Sequence, residues 1–171
     1  MILNYKQLEE LKKEKGGLAV AFGCFDILHK GHINFLEQIR ELSPYTVAIG
    51  VLPDEYVKIF KGASRPIFNE NDRTLMLDAI KYNEYTFTVN EKGDFDFYKE
   101  KFNCSNRHKV LWEYCLHLLY TVKPTHFYFS TDFVLTKEIS DLFAECNIKA
   151  ETIEYTKAVS TTAIIDKIKN L

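Results

Sequence analysis

One stretch of ten residues restricts the fold of this chain more than any other, because it joins an apolar run to a helical pattern. The apolar run covers residues 18–22 (LAVAF) and predicts a buried strand of a parallel sheet. The stretch itself, residues 23–32, reads GCFDILHKGH. Apolar residues then recur at helical spacing over residues 33–42, which predicts an amphipathic helix. The segment therefore predicts a strand, a turn and a helix in succession.

The helix that follows this turn begins at a position suited to an anion. Unpaired N–H groups and the positive end of the helix dipole favour a phosphate there. Gly31 has no side chain, so a triphosphate can lie close to the backbone between His29 and His32. Two imidazoles can donate hydrogen bonds to phosphoryl oxygens as charge builds on them. A solvated surface is the alternative for such a histidine pair, but the surrounding strand and helix favour a phosphate site with two catalytic histidines.

This segment also carries a family resemblance. The sequence G-C-F-D followed by H-K-G-H resembles the H-x-G-H signature of the cytidylyltransferase-like nucleotidyltransferases. The resemblance implies transfer of a nucleoside monophosphate from an NTP to a phosphorylated acceptor, with release of pyrophosphate. It implies that the backbone of Gly23, Cys24 and Phe25 approaches the nucleotide. Asp26 is expected either to help the triphosphate oxygens hold Mg²⁺ or to serve as a turn residue.

The composition narrows the class of protein. With 171 residues, a net charge of −2 and 46% hydrophobic residues, the chain suits one soluble α/β domain. Basic and acidic residues are interleaved, so no nucleic-acid partner is expected. Four cysteines share no C-x-x-C spacing, which favours free thiols in a reducing cytoplasm. Residues 1–15 predict a charged amphipathic helix rather than a signal peptide, and no window is apolar enough to predict a membrane partner.

Strand and helix patterns alternate along the chain. The predicted strands cover residues 18–22, 46–52, 85–89, 126–130 and 150–154. Helices are predicted after Asn69, which with Asp72 resembles a capping box, and around residues 110–122 and 135–146. This alternation predicts a single Rossmann-like α/β domain over residues 1–171, with a five-stranded parallel sheet and helices on both faces.

Three cations, Lys58, Lys61 and Arg65, occur in residues 56–66, which we predict to be a loop. Lys supplies a mobile point charge and Arg a bidentate fork, so this loop could fold over a polyphosphate. Solvated lysines that do not contact a ligand are the alternative.

The same loop and the next helix carry a second resemblance. The pattern K-G-x-x-R-P followed by N-x-x-x-R resembles the adenylyltransferase domain of heptose 1-phosphate biosynthesis proteins. It favours Lys58 and Lys61 as catalytic residues that neutralise the acceptor phosphate or the leaving pyrophosphate. Arg73 is expected to contact the nucleotide, unless it pairs with Asp72 or Asp78.

Three hydroxyl residues, Ser160, Thr161 and Thr162, precede the last apolar helical segment. They provide an N-cap and donors at a positive helix end, which suits a β- or γ-phosphate. They also resemble the S-T-T-x-I-I segment of the same nucleotidyltransferases. We expect Ser160 and Thr161 to contact phosphate and Thr162 to support them.

The chain departs from the family pattern where substrates would be recognised. Residues 130–133 read STDF where the family has glycine, an acidic residue and an aromatic. Asp132 retains the acidic position and is expected to bind nucleotide or acceptor, with an ordinary turn residue as the alternative. Lys157 stands near the position of an arginine in glycerol-3-phosphate cytidylyltransferases. Residues 95–123 form a longer segment, expected to contribute core or an oligomer face.

The family resemblance leaves several functions open. The acceptor and nucleotide could be a heptose-type sugar phosphate with ATP or a glycerol-type polyol phosphate with CTP, and a riboflavin-phosphate adenylyltransferase is a weaker possibility. A nucleotide-binding sensor or assembly partner is the non-enzyme alternative. A homodimer is the expected assembly.

Overall fold

Six parallel strands form one sheet in the part of the chain that the structure describes. The structure, a computed structural model, describes residues 1–131, 133–154, 156 and 159–171. The strands are β1 (Ile2–Leu3), β2 (Leu18–Gly23), β3 (Thr46–Val51), β4 (Tyr85–Thr88), β5 (His126–Ser130) and β6 (Lys149–Ile153). They are arranged in the order β1-β4-β3-β2-β5-β6, and every pairing is parallel.

Helices connect these strands. They are α1 (Tyr5–Lys15), α2 (Lys30–Leu42), α3 (Asp54–Lys61), α4 (Glu70–Asp78), α5 (Phe95–Phe102), α6 (Lys109–Leu111), α7 (His117–Val122), α8 (Lys137–Cys146) and α9 (Thr161–Lys169). A 3₁₀ turn at Asn106–His108 precedes α6, and a π-helical stretch at Trp112–Leu116 joins α6 to α7. None of the helices built from described residues is long and apolar enough to span a membrane.

Both faces of the sheet are buried, as the apolar runs predict. Alternate side chains of β2 point to opposite sides: Leu18 and Val20 join one core cluster, and Ala19 and Ala21 join the other. The first cluster includes side chains of α1, α5, α7 and α8, and the second includes side chains of α2 and α4. The prediction of a parallel sheet with helices on both faces is therefore confirmed.

The prediction of five strands was wrong by one. Residues 1–15 do not form one helix, because Ile2 and Leu3 pair in parallel with Thr86 and Phe87 before α1 begins. The backbone N–H of Thr86 also donates to the carbonyl of Met1 over 3.0 Å. Two residues are too few to show a strand periodicity, so this edge strand depends on β4, which lies far away in the sequence.

The prediction of a loop over residues 56–66 was also wrong in its first half. Residues 54–61 form α3, with Asp54 and Glu55 in its first turn and Gly62 at its end. The two carboxylates are stabilised by the positive end of the helix dipole. Val57, on the inner face of α3, is fully buried. The cations Lys58 and Lys61 therefore project from a helix, and only the segment after Gly62 is a loop.

Candidate active site

A cavity of about 440 Å³ lies where the strand order reverses, between β2 and β5. Its walls include Phe22 and Gly23 from the carboxyl end of β2 and Phe129 and Ser130 from the carboxyl end of β5. Reversal points of this kind form the ligand crevices of open parallel sheets. The N-termini of α2 and α9 both border the cavity, so two positive helix ends are available to an anion.

The two histidines of the H-K-G-H sequence meet at this cavity. Their rings stack with centroids 3.9 Å apart and an angle of 19° between their planes. His29 is the N-cap of α2, and its Nδ1 accepts a hydrogen bond from the N–H of Gly31 over 3.1 Å. A neutral ring that accepts at Nδ1 carries its proton on Nε2, so His29 retains a donor for a ligand.

Burial keeps both imidazoles in the neutral form. Burial lowers the pKa of His29 below its ordinary value. Burial and, secondly, the neighbouring His29 ring lower the pKa of His32 to about 4, against the opposing effect of Asp26. The Nδ1 atom of His32 is buried and has no hydrogen-bond partner among the described residues. The pair can therefore donate hydrogen bonds to phosphate, but it brings no positive charge at neutral pH.

The turn between β2 and α2 has an unusual backbone. Phe25 and Ile27 have φ angles of 49° and 54°, in the left-handed region that L side chains rarely adopt. A β-branched residue such as isoleucine is especially disfavoured there, and backbone of this kind persists where surrounding contacts hold it in place. Gly23, Cys24 and Phe25, which the family resemblance implies approach the nucleotide, line the cavity next to the turn.

Asp26 lies in this turn but is not available to a metal ion. Its side chain is fully buried, and its Oδ2 accepts from Nε of Arg65 over 2.7 Å. The N–H of Ile67 donates to both carboxylate oxygens, and the N–H of Phe68 donates to Oδ1. These contacts do not fit the expected role of Asp26 as a Mg²⁺ ligand. Among the described residues, no group of three or more His, Cys, Asp or Glu side chains is arranged to hold a metal.

Arg73 does not reach the cavity either, contrary to its expected role as a nucleotide contact. It is fully buried, and its guanidinium donates to the carbonyls of Phe68, Cys24 and Leu52 at 2.9, 2.5 and 2.8 Å. It also forms an ion pair with Asp54 over 2.7 Å. Its ion-pair partner is thus Asp54 rather than Asp72 or Asp78, the two partners that the sequence suggested. Arg73 thus holds the turn after β2 in place by binding the carbonyl of Cys24.

The two predicted catalytic lysines are separated. Lys61 lines the cavity, whereas Lys58 is exposed and absent from the described part of its wall. One helical turn separates the two residues, but the described wall of the cavity includes only the one at the carboxyl end of α3. Lys61 therefore stays a candidate for charge neutralisation, and the position of Lys58 gives it no support.

The three hydroxyl residues at the start of α9 differ in their contacts. Ser160 is the N-cap, and its Oγ accepts from the N–H of Ala163 over 3.1 Å. Thr161 is buried and donates to the carbonyl of Asp26 over 2.5 Å. Thr162 is exposed at the cavity, and its hydroxyl has no partner among the described residues. Among the described contacts, Ser160 therefore keeps an unused O–H donor and Thr162 its whole hydroxyl, although Thr162 was expected only to support the other two.

The structure describes only some of the residues at which the sequence departs from the family pattern. Asp132, predicted to bind nucleotide, and Lys157 lie outside the described residues. Ser130, Glu154 and Thr156 line the cavity. The longer segment of residues 95–123 contributes core, including the fully buried Trp112, and was predicted as core or an oligomer face.

Sequence reasoning missed the aromatic character of the cavity. An aromatic wall is formed by Phe22, Phe60, Phe127, Phe129 and Phe133. Phe22 and Phe127 lie on neighbouring strands with ring centroids 4.9 Å apart. Phe60 stacks on Tyr56 within α3, at 4.4 Å. In the sequence these residues give no separate signal, and only the position of Phe22 and Phe129 near the carboxyl ends of two strands could have indicated part of this wall.

Comparisons with known proteins identify the family of this chain and several relatives. The cytidylyltransferase-like family model matches residues 20–167. The bifunctional protein HldE of Campylobacter concisus is 31% identical over 169 residues, which cover 96% of this chain and 30% of that protein. HldE of Helicobacter pylori strain J99 is 30% identical over 164 residues with the same coverage. The chain thus spans about 30% of the length of these curated relatives.

Solved structures share the fold. A lipopolysaccharide core biosynthesis protein from Thermoplasma volcanium GSS1 has a TM-score of 0.52 at 23% identity and covers 83% of this chain and 98% of its own. A pantoate-beta-alanine ligase from Francisella tularensis has a TM-score of 0.62 at 16% identity and covers 100% of this chain and 78% of its own. Because the family model matches most of its length, from the strand before the histidine pair to the helix after the three hydroxyls, the chain belongs to the cytidylyltransferase-like family of nucleotidyltransferases.

Proposed function

We propose that this chain transfers a nucleoside monophosphate from ATP or CTP to a phosphorylated sugar or polyol and releases pyrophosphate. The observation that carries this proposal is the stacked pair of His29 and His32 at the N-terminus of α2, facing a cavity that the N-terminus of α9 also borders. Two neutral imidazoles and two helix ends form a site for a polyphosphate.

The reaction is an in-line attack by an oxygen of the acceptor phosphate on the α-phosphorus. The new P–O bond forms as the bond from the α-phosphorus to the bridging oxygen breaks, and pyrophosphate leaves with that electron pair. No covalent enzyme intermediate is needed, and the protein contributes positioning and charge stabilisation. The Nε2–H of His29 and the ring of His32 donate to phosphate oxygens as negative charge builds in the transition state.

Cations near the cavity balance the charge of the two substrates. Lys61 lies at the cavity, where a flexible ammonium group can follow the phosphate charge from acceptor to pyrophosphate. Mg²⁺ is proposed to arrive as part of the nucleotide substrate, bound mainly by phosphate and water oxygens. Asp26 is not assigned to it, because its oxygens already accept hydrogen bonds.

The sequence similarity supports one substrate pair over another. The match to HldE proteins, together with the K-G-x-x-R-P pattern at Lys61 to Pro66, favours ATP and a heptose-type sugar 1-phosphate. CTP with a glycerol-type phosphate is the alternative, supported by the G-C-F-D and H-K-G-H sequences.

We also propose that the reaction takes place in a reducing compartment and that the enzyme is a homodimer. Cys24, Cys104, Cys115 and Cys146 are free thiols, which favours a reducing compartment such as the cytoplasm. A homodimer is proposed as the assembly, which sedimentation velocity of the purified chain tests directly.

The decisive experiment is a pyrophosphate-release assay. ATP and CTP are supplied separately with Mg²⁺ against a panel of sugar and polyol phosphates, and His29→Ala is the control. We expect release that requires one nucleotide and one acceptor and that is lost in the variant. Nucleotide binding without release from any pair would contradict the transfer reaction and favour a sensor.

A further inference from the structure

Arg65 binds the protein through one N–H donor of its guanidinium and also lies at the cavity wall. Its side chain is about 10% exposed, and its Nε donates to Oδ2 of Asp26 over 2.7 Å. The residue lines the cavity. Its two Nη groups have no hydrogen-bond partner among the described residues. An arginine has five N–H donors, so one is used by Asp26 and four are left for a ligand.

The carboxylate that holds Arg65 is itself fixed in place. Asp26 accepts from the backbone N–H groups of Ile67 at 3.0 and 2.9 Å and of Phe68 at 3.1 Å. Its backbone carbonyl accepts from Thr161. The position of the Arg65 guanidinium is therefore set by three segments: the turn after β2, the loop before α4 and the start of α9. Such a pre-organised fork loses less freedom on binding than a flexible ammonium group.

The charges of the cavity point to an anion as the partner of these free donors. Arg73 is fully buried outside the described cavity wall and binds four protein acceptors, and Lys58 is exposed outside that wall. Burial lowers the pKa of both His29 and His32, so both rings are neutral at neutral pH. Among the described residues that line the cavity, the permanent cations are thus Lys61 and Arg65, and only Arg65 is held in one place. A buried ion pair with four unused donors is costly unless a ligand completes it.

We infer that Arg65 is a phosphate-binding residue whose two Nη groups form a bidentate contact with a phosphate, and that Asp26 is its positioning residue. The inference rests on the proposed function for the source of that phosphate, which is either the acceptor or the triphosphate of the nucleotide. The chemistry is the same for both, because a guanidinium fork matches two oxygens of one phosphate group.

The test measures binding separately from turnover. Titration calorimetry records the affinity of the folded protein for inorganic phosphate, in the presence of a non-hydrolysable ATP analogue, and for ATP alone. Arg65→Lys retains the charge and removes the fork. The double variant Asp26→Asn with Arg65→Met removes both buried charges, so neither partner is left unpaired if Arg65→Lys fails to fold. Arg107→Met, which removes an exposed arginine in the 3₁₀ turn, is the matched control.

We expect Arg65→Lys to lower the affinity for one of the two probes by about tenfold. The double variant should lower the affinity for the same probe by on the order of 10- to 100-fold. If the variant binds inorganic phosphate more weakly and ATP with unchanged affinity, the fork contacts the phosphate of the acceptor. If the variant binds ATP more weakly, the fork contacts the nucleotide. Asp26→Asn alone should weaken the same probe, which a purely structural aspartate would not do in protein that remains folded. The inference is overturned if the wild type binds neither probe, or if Arg65→Lys and the double variant bind both probes with the same affinities as Arg107→Met.

The binding test of Arg65 and the pyrophosphate-release assay can fail independently of each other. If no acceptor in the panel supports pyrophosphate release but Arg65→Lys still loses phosphate binding, the transfer reaction is contradicted and the assignment of Arg65 stands. If transfer occurs and Arg65→Lys binds both probes like the wild type, the proposed function stands and the assignment of Arg65 is wrong.

Discussion

The hydroxyl of Thr161 donates to the backbone carbonyl of Asp26 over 2.5 Å, and this bond joins residues 135 positions apart in the sequence. It connects the start of α9 to the turn that carries the histidine pair. The contact is buried, so removing the donor leaves a carbonyl without a partner and away from water. The two ends of the candidate active site are thus held together by a hydrogen bond from a side chain to the backbone that is independent of substrate.

We expect Thr161→Val to lower the free energy of unfolding by about 1–3 kcal/mol, because the buried carbonyl of Asp26 loses its donor. Thr162→Val is the matched control, since that hydroxyl is exposed and has no described protein partner. Thr162→Val should leave the free energy of unfolding unchanged, and it should raise the KM for the nucleotide if the Thr162 hydroxyl contacts phosphate. Urea unfolding and steady-state kinetics measure the two effects. Equal stability of the two variants would contradict a structural role for Thr161.

The two functions of His29 can be separated by substitution. Asparagine is a good N-cap, so His29→Asn should preserve the start of α2, whereas His29→Ala should lose about 0.5–2 kcal/mol of stability. Both variants should reduce kcat by about 10²-fold or more, because neither supplies the Nε2–H donor. Thermal melting and pyrophosphate release are the measurements. Normal turnover in His29→Asn would show that the imidazole acts only as a cap.

His32 makes the stability of the protein sensitive to acid. Its folded-state pKa of about 4 lies below the ordinary value of about 6.5, so the unfolded chain binds more protons between these two pH values. The free energy of unfolding therefore decreases as the pH falls through this window. Urea unfolding of wild type and His32→Gln at pH values of about 7.5 and 4.5 tests this, and the variant should lose less stability on acidification. An identical loss in both proteins would argue against a buried neutral His32.

Arg73 should be essential for stability and unnecessary for direct nucleotide contact. Arg73→Met leaves Asp54 and three carbonyls without their donor, and we expect a loss of about 3–5 kcal/mol in the free energy of unfolding. Arg107→Met removes the same charge from an exposed site and should change stability by less than about 0.5 kcal/mol. Denaturant unfolding of both variants gives the comparison. Wild-type stability in Arg73→Met, with weakened ATP binding, would instead favour the nucleotide role.

Gly31 leaves room for the ring of His29. A methyl group at this position would lie 2.9 Å from Cε1 and 3.0 Å from Nδ1 of His29, so the ring would have to move. We expect Gly31→Ala to fold and to lose about 10²-fold in kcat/KM, the cost of a catalytic group displaced by about 1 Å. Lys30→Ala, at the exposed neighbouring position, is the control for helix composition. Equal kcat/KM in the two variants would mean that the position of the His29 ring is not critical.

Local patterns were sufficient for much of the fold. The apolar run before Gly23 predicted β2, and the helical spacing after His32 predicted α2. The Asn69 cap of α4 and the Ser160 cap of α9 were also readable, because a cap depends on residues only two or three positions away. β1 was not readable, since its two residues become a strand only through pairing with β4.

The fate of the cations, in contrast, was decided by the tertiary structure. Arg65 and Arg73 are eight positions apart and chemically identical, yet Arg65 lines the cavity and Arg73 is fully buried against four protein acceptors. Their partners Asp26, Cys24 and Leu52 lie 39, 49 and 21 positions away in the sequence. The sequence by itself determined the strand, turn and helix that form the candidate site, because these follow from short-range sterics and periodicity. Which charges remain free to use that site depends on acceptors that only folding brings within hydrogen-bond distance.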